Sequence, residues 1–254
     1  MTTNSDKKLL NLLANHVPGT VLLASWLEKN GISRDLQQYY LKSGWLESYG
    51  FGVFKRPNEN VKWTGALNSI QRQTELPVHA GGLTSISLQG LSHYVRVEKE
   101  LLYLFSPQYV KLPKWFFNQE WSKQIQHVKS KFLPADLALS DYSLDGLKIQ
   151  ISSPERAILE CLYLTPNRFD MIECYQILEG LVNLRPKIMQ ALLEECSSIK
   201  VKRLFLFMAS KAKHQWLEFI DQTKIALGIG DRVIIREGVY ISKYKISVPK
   251  ELTT

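Results

Sequence analysis

Cysteine is scarce in this chain and poorly placed for chemistry. Cys161, Cys174 and Cys196 are odd in number and widely spaced, with no CxxC and no Cys/His cluster. That speaks against a disulfide framework or structural zinc and points to a reducing cytoplasm. Long hydrophobic runs are missing too. A run such as Leu204 to Ala209 falls far short of the roughly 20 apolar residues a membrane helix needs, and residues 1 to 10 (MTTNSDKKLL) lack a signal-peptide core. A soluble, cytoplasmic protein without a membrane partner is expected. Catalytic signatures are equally thin: the histidines (16, 79, 93, 127 and 214) are dispersed, and there is no HExxH or GxSxG. His79-Ala80-Gly81-Gly82 lacks the Lys-Ser/Thr that would follow in a phosphate loop. The expectation is a non-enzyme with no cofactor and no metal.

What the chain does have is apolar material and positive charge. At 254 residues and 45% hydrophobic content it can bury a sizeable core, and its formal charge of +8 favours an anionic partner. Most of that charge lies late. Residues 200 to 254 hold eleven Lys or Arg against five acids, whereas residues 1 to 58 hold seven against four. Lys200, Lys202, Arg203, Lys211 and Lys213 flank the apolar run 204 to 208 and are expected to form a basic C-terminal surface for nucleic acid or an acidic partner.

The N-terminal stretch is strongly punctuated. Leu9, Leu10, Leu12 and Leu13 form a helical stripe behind Asn4, Ser5 and Asp6. After Pro18-Gly19, Thr20 is placed to cap a second helix from Val21 to Leu27, which ends at Gly31 in a left-handed C-cap position. Ser33 caps a third helix from Arg34 to Lys42, and residues 45 to 56 form a glycine-bearing hairpin. The pattern is that of a winged helix-turn-helix. Its third helix would present Ser33, Arg34, Gln37, Gln38 and Lys42 to DNA, with Leu36, Tyr40 and Leu41 inward, because Arg and Gln make bidentate contacts to base edges in the major groove. Lys55 and Arg56 on the wing would meet the backbone or minor groove.

Beyond a linker at Pro57 to Asn60 the pattern becomes mixed. Helices are expected around 67 to 73 and 83 to 91, and a strand over 101 to 105. Further helices follow from Ser153-Pro154, over 171 to 181, 186 to 196 and 201 to 213, with two closing strands around Glu237-Gly238. The fold class is therefore α+β: a winged helix-turn-helix over 1–58, then a larger, helix-rich α/β domain over 59–254 that divides further near 152. Asp136, Asp141 and Asp145 could be imagined as metal ligands, but the Glu-x-Lys of a restriction-type nuclease is absent, which favours turn-forming aspartates.

Several short motifs then follow one another along the chain, which has no internal repeat. They are Gly44-Trp45-Leu46-Glu47, Gly52-Val53-Phe54-Lys55-Arg56-Pro57, His79 to Gly90 (HAGGLTSISLQG), Ser153 to Glu160 (SPERAILE) and Lys243 to Pro249 (KYKISVP). Together they resemble the AbiEi antitoxin family over nearly the whole chain. The resemblance implies an antitoxin and autorepressor whose winged helix binds inverted repeats in double-stranded promoter DNA. Its larger domain would counter a nucleotidyltransferase-like toxin encoded beside it. Two alternatives stay open: a metal-dependent nuclease or toxin-modifying enzyme with a DNA-binding head, motivated by the acids from 136 to 145, and a module that binds a partner protein directly.

Overall fold

The computed structural model describes residues 4–91, 101–144 and 146–253. The chain forms two compact units. One comprises Met1–Val78, Val110–Ser122 and Asp141–Gln150, and the other His79–Tyr109, Lys123–Ser140 and Ile151–Thr254. The class is mixed α+β.

The smaller unit opens with α1 (Asn4–Asn15), β1 (Leu22–Leu23), α2 (Ala24–Lys29), α3 (Arg34–Lys42), β2 (Glu47–Gly50), β3 (Val53–Lys55) and α4 (Trp63–Thr74). The strands make an antiparallel sheet in the order β1-β3-β2. Leu9 and Leu12 of α1 pack with Leu22, Leu27, Ile32, Tyr40, Leu46 and Phe54, so α1, β1, α2, α3 and β3 all contribute to one apolar cluster. Such burial supplies most of the driving force for elements this short.

One of the sequence-based details changes here. Val21 to Leu23 does not begin a helix: Leu22 and Leu23 are extended and pair with Phe54 and Val53. The extended backbone has its partners supplied from elsewhere. Ser69 and Gln73 of α4 accept from Val21 N and Leu23 N, and Ala24 N donates to Gly52 O, so no helical ladder is needed. Gly65 lets α4 come this close, since a Cβ there would fall on the carbonyl of Gly19. The turn between α2 and α3 does follow expectation, with Gly31 at φ +80° and Ser33 Oγ accepting from Leu36 N. The unit also holds α6 (Lys114–Phe117).

The larger unit contains β4 (His79–Ala80), α5 (Gly82–Leu88), β5 (Leu101–Pro107), β6 (Gln124–Ser130), α7 (Pro154–Leu164), α8 (Met171–Gly180), α9 (Pro186–Glu195), α10 (Ile199–Lys211), β9 (Val239–Ile241) and β10 (Ile246–Val248). Its strands line up as β6-β5-β4, and Ile151, near the end of β8 (Leu147–Ser152), runs parallel beside Ala80 of β4; β7 spans Leu139–Leu144. The β5–β6 pair is parallel from Leu101↔Gln124 to Pro107↔Ser130, and β4 runs antiparallel to β5. Two helices form the heart of this unit: Glu155–Leu162 of α7 and Val201–Ala209 of α10 are buried without a break. A helix buried on all faces belongs in the centre of a core.

The closing hairpin also differs from expectation. Its strands pair Ile241 with Ile246, so the turn lies at Ser242–Lys245, where Lys245 takes φ +51°. Gly238 instead lies where a Cβ would collide with the Val248 backbone. Among the described residues no helix is long and apolar enough to cross a membrane.

Candidate functional site

Helix α3 is amphipathic, and its outer stripe is polar. Arg34, Gln38 and Lys42 are all exposed at i, i+4 and i+8, one above the other on a helical face. Tyr39 lies beside them, 58% exposed. Arg34 Nε donates to Glu28 at 2.6 Å in an open surface pair, the kind a phosphate can displace at small expense. Ser33 is exposed, with its hydroxyl engaged as the α3 cap.

Gln37 is a correction. It is 1% exposed, and its Nε2 donates to the carbonyls of Ala24 at 3.1 Å and Ile32 at 3.0 Å. It thus ties α3 to the start of α2 and to the turn between them, and reaches no surface. The spacing held this signal, because Gln37 sits three and four residues before Tyr40 and Leu41 and so shares their inward face.

On the hairpin Lys55 is half-buried and held by Glu47 Oε2 at 3.0 Å and Glu59 O at 3.1 Å. Arg56 is half-buried too, with Nε enclosed. Both are therefore stem residues. The tip belongs to Phe51, which is fully exposed and followed by Gly52 at φ +68°, and Trp45 is exposed after α3. Sequence reasoning passed over Tyr39, Trp45 and Phe51. For Phe51 the signal was an aromatic between two glycines.

The expected basic surface on α10 is a second correction. Lys202 and Arg203 are buried, at 3% and 2% exposure. Lys202 Nζ donates to Ala226 O at 3.3 Å. Arg203 donates to four carbonyls: Leu227 at 2.9 Å, Gly230 at 2.7 Å, Lys245 at 3.0 Å and Gly228 at 3.1 Å. Its planar fork staples a loop whose own backbone has no ladder. Lys200 is half-buried and donates to Tyr163 O at 2.8 Å and Thr165 O at 2.5 Å. Lys211 lies 5.7 Å from the Tyr175 ring centroid, and only Lys213 of the five is exposed. Exposed positive charge in this region sits instead on Lys224, Arg232, Arg236, Lys243, Lys245 and Lys250.

Two of the family-like motifs meet at one buried carboxylate. Glu160, at the end of SPERAILE, is fully buried and accepts at both oxygens. Oε1 faces His79 Nε2 at 2.9 Å and Arg156 Nε at 2.9 Å, while Oε2 accepts from Gly82 N at 2.8 Å and Ser152 Oγ at 2.7 Å. Gly81 must be glycine here, since a Cβ would strike Glu160 and Phe105. Arg156 Nη1 donates onward to Pro134 O at 2.7 Å and Leu137 O at 2.6 Å. Burial alone pushes the Glu160 carboxyl up, but His79, Arg156 and Ser152 more than offset it and hold it at about 2. Burial keeps His79 below its ordinary range, with Arg156 acting in the same direction against the pull of Glu160. A neutral His79 donating to an ionised Glu160, with Arg156 supplying the positive charge, is the state these contacts favour.

The same logic governs Glu155 and His127. Burial raises Glu155, but the Arg185 fork at 2.9 and 2.8 Å brings it to about 2. Burial, aided by Lys129, lowers His127 to about 4. A depressed histidine gives stability that is lost as the unfolded chain takes up protons below 6.5, and a depressed carboxylate gives stability lost below 4.5. Thermal stability should therefore fall as pH drops from 6.5 towards 4 through His127 and His79, and fall further from 4.5 towards 2 through Glu155 and Glu160. Calorimetry across this range checks it. His127→Gln should flatten the first stage, and an unchanged slope would refute the assignment.

Of the acids considered as metal ligands, Asp141 pairs with Lys148 at 2.7 Å, Asp136 is exposed, and Asp145 lies outside the described residues. Among the described residues no three His, Cys, Asp or Glu side chains converge on a metal position.

Comparison with known proteins gives these elements a family. A family model described as "Transcriptional regulator, AbiEi antitoxin N-terminal domain" matches residues 5–97. Another, "Transcriptional regulator, AbiEi antitoxin, Type IV TA system", matches residues 99–249. The chain is thus a transcriptional regulator of the antitoxin class. It belongs to the AbiEi family of type IV toxin-antitoxin systems. The fold is similar to that in the crystal structure of the RV2827C protein from Mycobacterium tuberculosis, with a TM-score of 0.60 at 13% identity over 97% of this chain and 92% of that one. No curated protein matches the chain.

Proposed function

We propose that residues 1–58 are a winged helix-turn-helix that binds inverted repeats in the promoter of the protein's own operon. On this reading the domain over 59–254 counters a cognate nucleotidyltransferase-like toxin in the cytoplasm. The observation that carries the DNA-binding half is the order α1-β1-α2-α3-β2-β3 around the sheet β1-β3-β2, with Arg34, Gln38 and Lys42 stacked on the outer face of α3. That stripe has the length and chemistry to read base edges from the major groove, with Lys42 suited to a phosphate. Gln37 drops out of the reading set, and Lys55 and Arg56 shape the wing.

The toxin half rests on family membership and on the exposed cations of the loops and hairpin after α10. Asp136 and Asp141, the described acids of that segment, give no geometric support to the nuclease alternative.

A gel-shift titration against DNA from upstream of the gene tests the proposal. Affinity should fall by about 10³-fold or more between 50 and 200 mM salt, as release of counterions from six or more phosphates requires. Scrambled DNA should bind far more weakly. Equal affinity for both DNAs at every salt concentration would refute it.

A further inference from the structure

In the larger unit a half-open cavity of about 350 Å³ lies against the outer side of the Glu160 cluster. His79 and Arg156 reach its wall, both at least 95% buried. Their inner atoms are engaged: His79 Nε2 and Arg156 Nε on Glu160, and Arg156 Nη1 on two carbonyls. Arg156 Nη2 and His79 Nδ1 make no hydrogen bond to the described residues, and neither is among the sealed-off unpaired atoms. Both are therefore left for whatever occupies the cavity. A buried arginine with two N–H groups still to place is the strongest neutral-pH anion donor a wall can offer. Glu160, with both oxygens already engaged, fixes the orientation of His79 and Arg156 from behind.

The rest of the lining agrees in sign and shape. Lys131 is exposed at the mouth, Ser130 adds a hydroxyl, and among the described residues no Asp or Glu lines the cavity. Flat apolar surface comes from Pro107, Leu133 and the Tyr109 ring, which is 75% exposed at the rim. Enclosed volume, an apolar wall and a few convergent polar groups are the ordinary composition of a small-molecule site.

We infer that this cavity binds a small planar organic anion, with its phosphate or carboxylate on Arg156 and Lys131 and its ring against Tyr109 and Pro107. A hydroxyl or amino group on that ring would donate to His79 Nδ1. The inference is independent of DNA binding, because its test reads ligand binding alone.

Calorimetric titration of the full chain with phenyl phosphate, benzoate, inorganic phosphate and phenol tests it. One or both aromatic anions should bind with a Kd of about 1 mM or tighter, at least about tenfold better than phenol and inorganic phosphate. Which anion wins distinguishes a phosphate from a carboxylate ligand. Lys131→Ala and Tyr109→Ala alter exposed rim residues and spare the fold, and each should weaken the better probe by about threefold to tenfold, whereas Lys213→Ala should not. Three results would overturn the inference: no binding of either aromatic anion, phenol or inorganic phosphate binding as well as they do, or full affinity in both rim variants.

Discussion

Replacing Glu160 with alanine should destabilise the larger unit by about 3–5 kcal/mol, because it leaves the Arg156 guanidinium buried without its counter-charge. It also strands the donors of Gly82 N, Ser152 Oγ and His79 Nε2, each of which now reaches the carboxylate at 2.9 Å or less. Against a typical total of about 5–15 kcal/mol, that loss leaves little margin at physiological temperature. Glu160→Gln should do less harm, since it keeps the shape and one acceptor, but it turns an amide N–H₂ towards donors that need a lone pair. Urea unfolding of the two variants beside the parent chain checks the order: parent, then Gln, then Ala. An alanine variant within about 0.5 kcal/mol of the parent would show that the cluster contributes nothing measurable.

The second large effect concerns α3. Changing Arg34, Gln38 and Lys42 together to alanine should lower affinity for promoter DNA by at least about a hundredfold, since a good base contact is worth about 1–3 kcal/mol and a phosphate contact adds to it. All three side chains are exposed, so thermal stability should hardly move. Gln37→Ala should behave in the opposite way. It leaves the buried carbonyls of Ala24 and Ile32 without their donor, at about 1–3 kcal/mol of stability, and touches no DNA itself. Paired measurements of melting temperature and gel-shift affinity separate the two classes. A Gln37 variant of normal stability that loses DNA binding would return Gln37 to the reading face.

How far the sequence carried differs from element to element, for physical reasons. The Ser33 cap, the Gly31 turn and the Ser153-Pro154 start of α7 were legible because capping is local chemistry, decided within four residues. The extended Val21 to Leu23 was not, because its partners, Ser69 and Gln73, lie about fifty residues away. Gln37 was misplaced although the spacing pointed inward, because a glutamine is read as polar and hence outward until its buried acceptors are seen. Lys202 and Arg203 reversed the same expectation. Long cationic side chains on a buried helix reach carbonyls at the edge of the core, so a basic run in sequence did not become a basic face. Glu160 was visible as the last residue of a motif, but its partner His79 is 81 positions away, and no local pattern connects the two.

The central claim is that the outer stripe of α3 reads base sequence. It is tested most directly by selecting bound duplexes from a randomised DNA library with the parent chain and with Gln38→Ala. The account predicts that the variant loses discrimination at one or two positions of the selected site, most plainly at an adenine, and keeps the rest of the preference. An identical preference profile from both proteins would contradict it.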